Sequence, residues 1–295
     1  MKILDGKIVS AQVMDGVRIT IDDFTNQGYR APHLAAILVG NNGASETYVA
    51  SKARNCEVAG IKSTIYRLPE NCTENELADL VNVLNIDSEV DGILVQLPLP
   101  KHLDEQRIIN IINPAKDVDG FCPINTGKLV LGLPCYIPAT PYGIMLMLEH
   151  YQIQTSGKHA VVIGRSNIVG RPMSILLSQS GPQGDCTVTV CHSRTNNLMD
   201  ICLEADILVV ALGKPAFLKA DMVKPGAVVI DVGITRVPDS SKKSGFRIQG
   251  DVDFEQVAPI AEYITPVPGG VGMMTIAALL KNTLQAYRNK IELKA

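Results

Sequence analysis

Apolar positions recur along this chain with two alternating periods. Val9, Val13, Val17, Ile21 and Phe24 are spaced by fours and a three, which predicts a helix over 7–26 with Gly28 beyond its end. The run HLAAILVG (33–40) is nearly continuous in apolar residues and predicts a buried strand closed by glycine. A helix over 44–58, stopped by Gly60, and a strand over 61–68 follow. Thr73 with Glu76 three residues on is a capping-box pattern, opening a helix that runs to about Leu84. Asp91 to Gln96 reads as another strand, closed by Leu97-Pro98-Leu99-Pro100, and a helix is predicted over 104–111. Residues 113–142, rich in proline and glycine, read as irregular. Beyond them, strands are predicted over 159–163, 187–190, 207–211, 228–232 and 263–265. Helices are predicted over 168–180 and from Met273 to about Lys290, with an exposed loop at 238–245.

Strands alternating with helices imply parallel α/β sheets. Two domains are expected: 1–138, completed by the terminal helix 273–295, and a Rossmann-type unit over 139–272. The crossing is placed at Ile137–Tyr142, and a cleft between the domains is the expected place for a substrate. Composition narrows the class. The chain has 295 residues, 46% of them hydrophobic, and a net charge of -3. Scattered Lys and Arg argue against a nucleic-acid partner. No apolar run approaches membrane-spanning length and no signal-peptide core is seen, so a cytoplasmic protein is expected. Seven cysteines without a Cys-x-x-Cys pair fit reduced thiols. No metal site is expected; the acidic pair in GDVDF (250–254) is attributed to capping by Asp253.

The first candidate chemistry lies in KHAVVIGRSNIVGRP (158–172). A buried strand meets Gly164, and Gly170 falls in the first turns of a helix, the arrangement in which a helix N-terminus offers N–H groups to a pyrophosphate. The spacing Gly-x-Ser-x-x-x-Gly-x-Pro departs from the usual dinucleotide fingerprint, and Ser166 would place a hydroxyl near the phosphates. The next strand ends Cys191-His192-Ser193-Arg194-Thr195, without the acid that holds an NAD ribose. Arg165, Arg194 and a serine suit a 2′-phosphate, so NADP is expected over NAD.

A second group gathers near the carboxyl ends of the first domain's strands. Tyr48 and Lys52 lie four apart on one helix face. Gln96 closes an apolar strand and needs a partner. Asp117 and Asp119 follow in DVDGF. A buried lysine can act as acid or base, a carboxamide can orient it, and a carboxylate can take two N–H donors. The glycine run 266–272, PVPGGVG, directly precedes the last helix and lets backbone approach a ligand. These residues alone leave open a different NADP dehydrogenase or a non-catalytic folate or nucleotide sensor.

Six segments resemble the bifunctional methylenetetrahydrofolate dehydrogenase/methenyltetrahydrofolate cyclohydrolase family: YVASK (48–52), DGILVQLPLP (91–100), KDVDGF (116–121), GRSNIVGRP (164–172), GDVDF (250–254) and PVPGGVG (266–272). They span nearly the whole chain in order. The resemblance implies NADP-dependent oxidation of 5,10-methylenetetrahydrofolate to the methenyl form, then hydrolysis to 10-formyltetrahydrofolate; a monofunctional dehydrogenase is the alternative. It implies Lys52 as the central catalytic group, tuned by Gln96. Asp119 would hold the pterin amino edge and Tyr48 would lie against the aminobenzoyl ring. Pro268, Gly269 and Gly272 would line the folate–nicotinamide junction, and Thr140, Arg165, Ser166, Ser193, Ile234 and Thr275 would contact the cofactor. It also implies a homodimer paired through the cofactor domain. Three positions depart from the family's usual residues: Cys122 stands for His, Ala139 for Cys and Met273 for Pro.

Overall fold

The computed structural model describes residues 1–41, 43–242 and 245–292. In chain order the elements are β1 (Lys2–Ile3), α1 (Gly6–Asn26), β2 (His33–Val39), α2 (Gly43–Val58), β3 (Lys62–Leu68), α3 (Glu74–Ile86), β4 (Gly92–Val95), α4 (Glu105–Ile111), α5 (Pro123–Val130) and α6 (Ala139–His150). Then come β5 (His159–Ile163), α7 (Gly170–Ser178), β6 (Thr187–Cys191), α8 (Leu198–Leu203), β7 (Ile207–Val210), β8 (Val228–Asp231), β9 (Thr235–Pro238), β10 (Phe246–Gln249), α9 (Phe254–Val257), β11 (Tyr263–Ile264) and α10 (Val271–Glu292). The chain divides into two compact units, Met1–Ser10 with Thr140–Thr275, and Ala11–Ala139 with Ile276–Ala295.

The second of these units is built on a parallel three-stranded sheet in the order β3–β2–β4. All seven residues of β2 are buried, as a central parallel strand requires. The two strands that follow it lie on opposite sides of it, so the order reverses between β2 and β4. In open α/β sheets, ligands bind outside the carboxyl ends at such a point. α3 opens with the capping box that Thr73 and Glu76 predict, and α4 is capped by Asp104, which accepts from the N–H groups of Gln106 and Arg107. Asp91, at the opposite end of β4, is fully buried and accepts from both Arg30 guanidinium nitrogens, each at 2.7 Å, from the His33 N–H and from Lys290.

The other unit holds a six-stranded sheet, β1–β11–β8–β7–β5–β6, parallel throughout. Here the order reverses between β5 and β7. Val161, Ile163, Leu208, Val210 and Val229 form the heart of its core.

Several expectations are corrected. Residues 113–142 are not irregular throughout. Pro123 starts α5, capped by the Cys122 thiol accepting from the Asn125 N–H at 3.4 Å, and α6 begins at Ala139. A thiol cap and an early proline hide these helices from a search for Ser, Thr or Asp. The exposed loop at 238–245 is the tip of an antiparallel hairpin, β9–β10; Lys243 and Ser244 lie outside the described residues. Residues 1–10 fall with the cofactor-type sheet, because β1 pairs with β11 at its edge. A two-residue strand carries too little periodicity to be read from sequence.

α10 bears on the site through Asn282, whose buried side-chain amide donates to the carbonyls of Val118 (2.8 Å) and Ile137 (2.9 Å). Asn282→Ala should leave both carbonyls without a donor. We expect a loss of about 2 kcal/mol, measured as a lower urea midpoint at unchanged m-value.

Candidate active site

Helix α2 buries a stripe at 45, 49, 52, 56 and 59, spaced by fours and threes. Ser45, Val49, Cys56 and Ala59 occupy it, and so does Lys52, which is 6% exposed. Burial pulls the Lys52 amine below its ordinary range, opposed by the nearby charge of Asp119. Lys52 Nζ donates to Gln96 Oε1 at 3.2 Å. The other end of that amide donates to the Leu97 carbonyl at 2.7 Å, which turns the oxygen toward the lysine. Lys52 Nζ also lies 5.1 Å from the centre of the Tyr48 ring, within cation–π range. Gln96 follows β4 at its carboxyl end, where the strand order reverses.

Asp117 and Asp119 do different work. Asp117 is buried and accepts from the N–H groups of Phe121 (3.2 Å) and Cys122 (2.9 Å) and from the Asn125 amide (2.9 Å). It ties the DVDGF loop to α5. Gly120 sits in that loop at φ 72°, and a Cβ there would come 2.5 Å from the Tyr136 carbonyl. Asp119 is half-buried. Burial pushes its carboxyl up to about 6, the Lys52 charge opposing and the Asp117 charge adding to the rise. Tyr48, Lys52, Gln96 and Asp119 therefore cluster as an amine, an amide, a carboxyl and an aromatic face in one unit. Cys56, one turn beyond Lys52, is a buried thiol pushed up to about 12 and adds no charge there.

The remaining candidates fall in the other unit. Gly164, at φ 132°, has no room for a side chain: a Cβ would lie 2.4 Å from the Ala211 carbonyl, and one on Gly170 would lie 2.2 Å from the Gly164 carbonyl. This is the close strand-to-helix turn that a pyrophosphate site needs. Hydrogen bonds within this turn engage the first N–H groups of the helix. Ser166 Oγ accepts from the N–H groups of Val169 (3.2 Å) and Gly170 (3.3 Å), and the Ser166 carbonyl accepts from Arg171 (3.0 Å). Ser166 thus accepts the N–H groups at the start of α7, and its own O–H remains a donor. The exposed loop 165–168 comes before them, and Arg165 lies in it.

Beyond β6, the His192 N–H donates to Thr195 Oγ1 and the Arg194 N–H to His192 Nδ1. This turn leaves Ser193 and Arg194 exposed, with no carboxylate among residues 191–195. Thr140 and Thr275 hydroxyls meet at 3.0 Å. Gly272 lies in the first turn of α10, Pro268 is exposed, and the Gly269 carbonyl accepts from the Gly6 N–H at 2.9 Å. Ile234, 56% exposed, follows β8. Asp253 does not cap α9: its carboxylate pairs with Lys219 at 2.8 Å and accepts from the Gln256 amide. Among the described residues no group of three His, Cys, Asp or Glu could hold a metal ion.

Two family models match the chain one after the other. Residues 4–119 match the catalytic-domain model of the tetrahydrofolate dehydrogenase/cyclohydrolase family, and residues 138–291 match its NAD(P)-binding domain. The chain belongs to this family. It is 58% identical over 287 residues to the bifunctional protein FolD of Porphyromonas gingivalis, covering 97% of each. The crystal structure of the bifunctional FolD enzyme from Campylobacter jejuni superposes with a TM-score of 0.92 at 50% identity, covering 98% of this chain and 99% of that one. The Trypanosoma brucei dehydrogenase-cyclohydrolase, solved with NADP cofactor and inhibitor, gives 0.92 at 37% identity, covering 97% of both.

The three positions noted as departures have defined places in the fold. Cys122 serves as a helix cap, Ala139 is buried at the start of α6, and Met273 is exposed, its N–H donating to the Gly270 carbonyl at 3.1 Å.

Two outcomes follow. Gln96→Glu should place a carboxylate on Lys52 Nζ, hold the amine protonated, and lower Lys52-dependent turnover at least about tenfold at neutral pH. Steady-state rates check this. Because Asp119 titrates near 6, its carboxylate is lost as pH falls through that value. The KM of a substrate held by it should rise there, and Asp119→Asn should flatten that limb.

Proposed function

We propose that this protein is a bifunctional folate enzyme. It oxidises 5,10-methylenetetrahydrofolate to the 5,10-methenyl form with NADP, then hydrolyses that product to 10-formyltetrahydrofolate. The observation that carries the reading is a buried lysine amine hydrogen-bonded to a strand-end amide, with a carboxyl nearby, in a chain that aligns along its length with bifunctional FolD proteins.

The NADP-binding unit is fitted by its own residues: a glycine turn with no space for Cβ atoms, a cationic loop, and a second-strand exit free of carboxylates. Arg165 and Arg194 hold the phosphates, with Ser193 beside the 2′-phosphate and Thr140, Ile234 and Thr275 as further contacts. Gly164 and Gly170 let the backbone close behind them, and Ser166 shapes the loop by accepting N–H groups at the start of α7. Once bound, the cofactor accepts the hydride that leaves the methylene bridge.

The folate-holding residues do the rest. Asp119 accepts two N–H bonds from the pterin's amino edge, and the Tyr48 ring lies along the aminobenzoyl group. Pro268, Gly269 and Gly272 give a backbone surface for the reacting end. Loss of hydride leaves a cationic methenyl bridge. Lys52, uncharged more readily because it is buried, takes a proton from water as the oxygen adds to that carbon. That proton then passes from Lys52 to N5 as the bond between N5 and the carbon breaks, while the added hydroxyl gives up its own proton to solvent and becomes the carbonyl of the formyl group left on N10. Gln96 holds the amine in line throughout. We further propose a homodimer paired through the cofactor-binding unit. We also propose a cytoplasmic location, which seven free cysteines suit.

The test is a two-step absorbance assay. Purified protein with methylenetetrahydrofolate and NADP should form the absorbing methenyl species and then remove it faster than buffer does. Protein that reduces NADP but leaves added methenyltetrahydrofolate untouched would be a dehydrogenase alone. Lys52→Met should abolish hydrolysis with NADP affinity intact; wild-type hydrolysis in that variant would remove Lys52 from the mechanism.

A further inference from the structure

Two buried carboxylates in the cofactor-binding unit have no part in the steps above. Asp231 ends β8 at 3% exposure, and Asp251 is fully buried. Asp251 Oδ2 accepts from the N–H groups of Leu212 (2.6 Å) and Gly213 (2.8 Å), in the segment that leaves β7. Asp231 Oδ1 accepts from Gly233 (2.9 Å), in the segment that leaves β8, and from the Asp251 N–H (2.8 Å); its Oδ2 accepts from Val252 (3.0 Å). No ion pair reaches either carboxylate among the described residues. Asp251 Oδ1 has no hydrogen-bond partner there at all.

Such an arrangement is a poor way to gain stability, since a buried charge without a cation costs free energy. Space has nevertheless been cleared for it. A Cβ on Gly233 would lie 2.4 Å from Asp251 Oδ1, and one on Gly250 would lie 1.9 Å from Asp231 Oδ2. The place is informative. The strand order reverses between β5 and β7. A dinucleotide with its pyrophosphate at the β5 turn and its 2′-phosphate beyond β6 extends its other end over the exits of β7 and β8.

We propose that Asp231 and Asp251 form a positioning and selectivity device: they fasten the exits of β7 and β8 beneath the nicotinamide half of the cofactor, and their charge favours the oxidised, cationic ring over the reduced, neutral one. This rests on the NADP reading of the unit. Burial, with the Asp251 charge adding to it, pushes the Asp231 carboxyl up to about 6, so Asp231 carries negative charge at neutral pH. Among the described residues, Asp251 is the one ionisable group acting on Asp231.

Asp251→Asn is the cleanest variant, because an amide nitrogen can take the place of the unpartnered Oδ1 while the oxygen keeps both accepted bonds. The readout is binding, not turnover: the ratio of the NADPH and NADP+ dissociation constants, by titration calorimetry. One charge removed at about 10 Å should lower that ratio about fivefold. A folded variant whose ratio stays within about twofold of wild type would overturn the proposal. Should the variant not fold, the wild type decides. Its ratio should fall as pH drops through about 6, and a flat ratio would overturn the proposal. The cofactor's own 2′-phosphate titration cancels in that ratio. A wild type that binds neither form would instead overturn the NADP reading itself.

Discussion

A lysine amine held out of water is the constraint on which the proposed chemistry depends. Lys52 occupies a core position on the buried stripe of α2, and its hydrogen bond among the described residues runs to an uncharged amide. A direct carboxylate partner would stabilise the charged amine and keep it protonated; an amide satisfies it without doing so. Gln96 can play that part because its other end is tied to the Leu97 carbonyl. The reversal of strand order beside β2 puts the end of β4 next to the helix that follows β2. Sheet topology therefore supplies the pairing of an amine from α2 with an amide from β4.

Carboxylates serve three separate physical purposes in this molecule. Asp91 is buried with cations and acts as a fastener, joining β4 to Arg30 and Lys290. Asp117, Asp231 and Asp251 are buried against N–H donors and shape loops. Asp119 has none of these fixed partners among the described residues and is the acid proposed to meet a ligand. Titration near 6 follows for Asp119 and Asp231 alike, because each loses water without gaining a contacting cation.

Much of the fold was legible because parallel strands leave long apolar runs and helices leave stripes of three and four. The strands at β2, β4, β5, β7 and β8 and the capping box at Thr73 follow from those patterns. The helix at 123–130 did not, since its cap is a thiol and its first residue a proline. Nor did the hairpin flanking 239–245, where two short half-exposed strands look like polar loop. The burial of Lys52 was readable in principle, as a lysine at 52 falls on the stripe set by 49, 56 and 59.

By itself, then, the sequence determined the two parallel α/β units, the glycine turn at 164–170, NADP as the cofactor and the group Tyr48, Lys52, Gln96 and Asp119. Each of these is written in local pattern or in residue type. Tertiary structure alone decided which acids are struts, that Ser166 accepts N–H groups at the start of α7, and that β1 belongs to the edge beside β11. Those outcomes depend on which backbone N–H groups come within about 3 Å of a side chain, and partners distant in sequence leave no periodic trace in it.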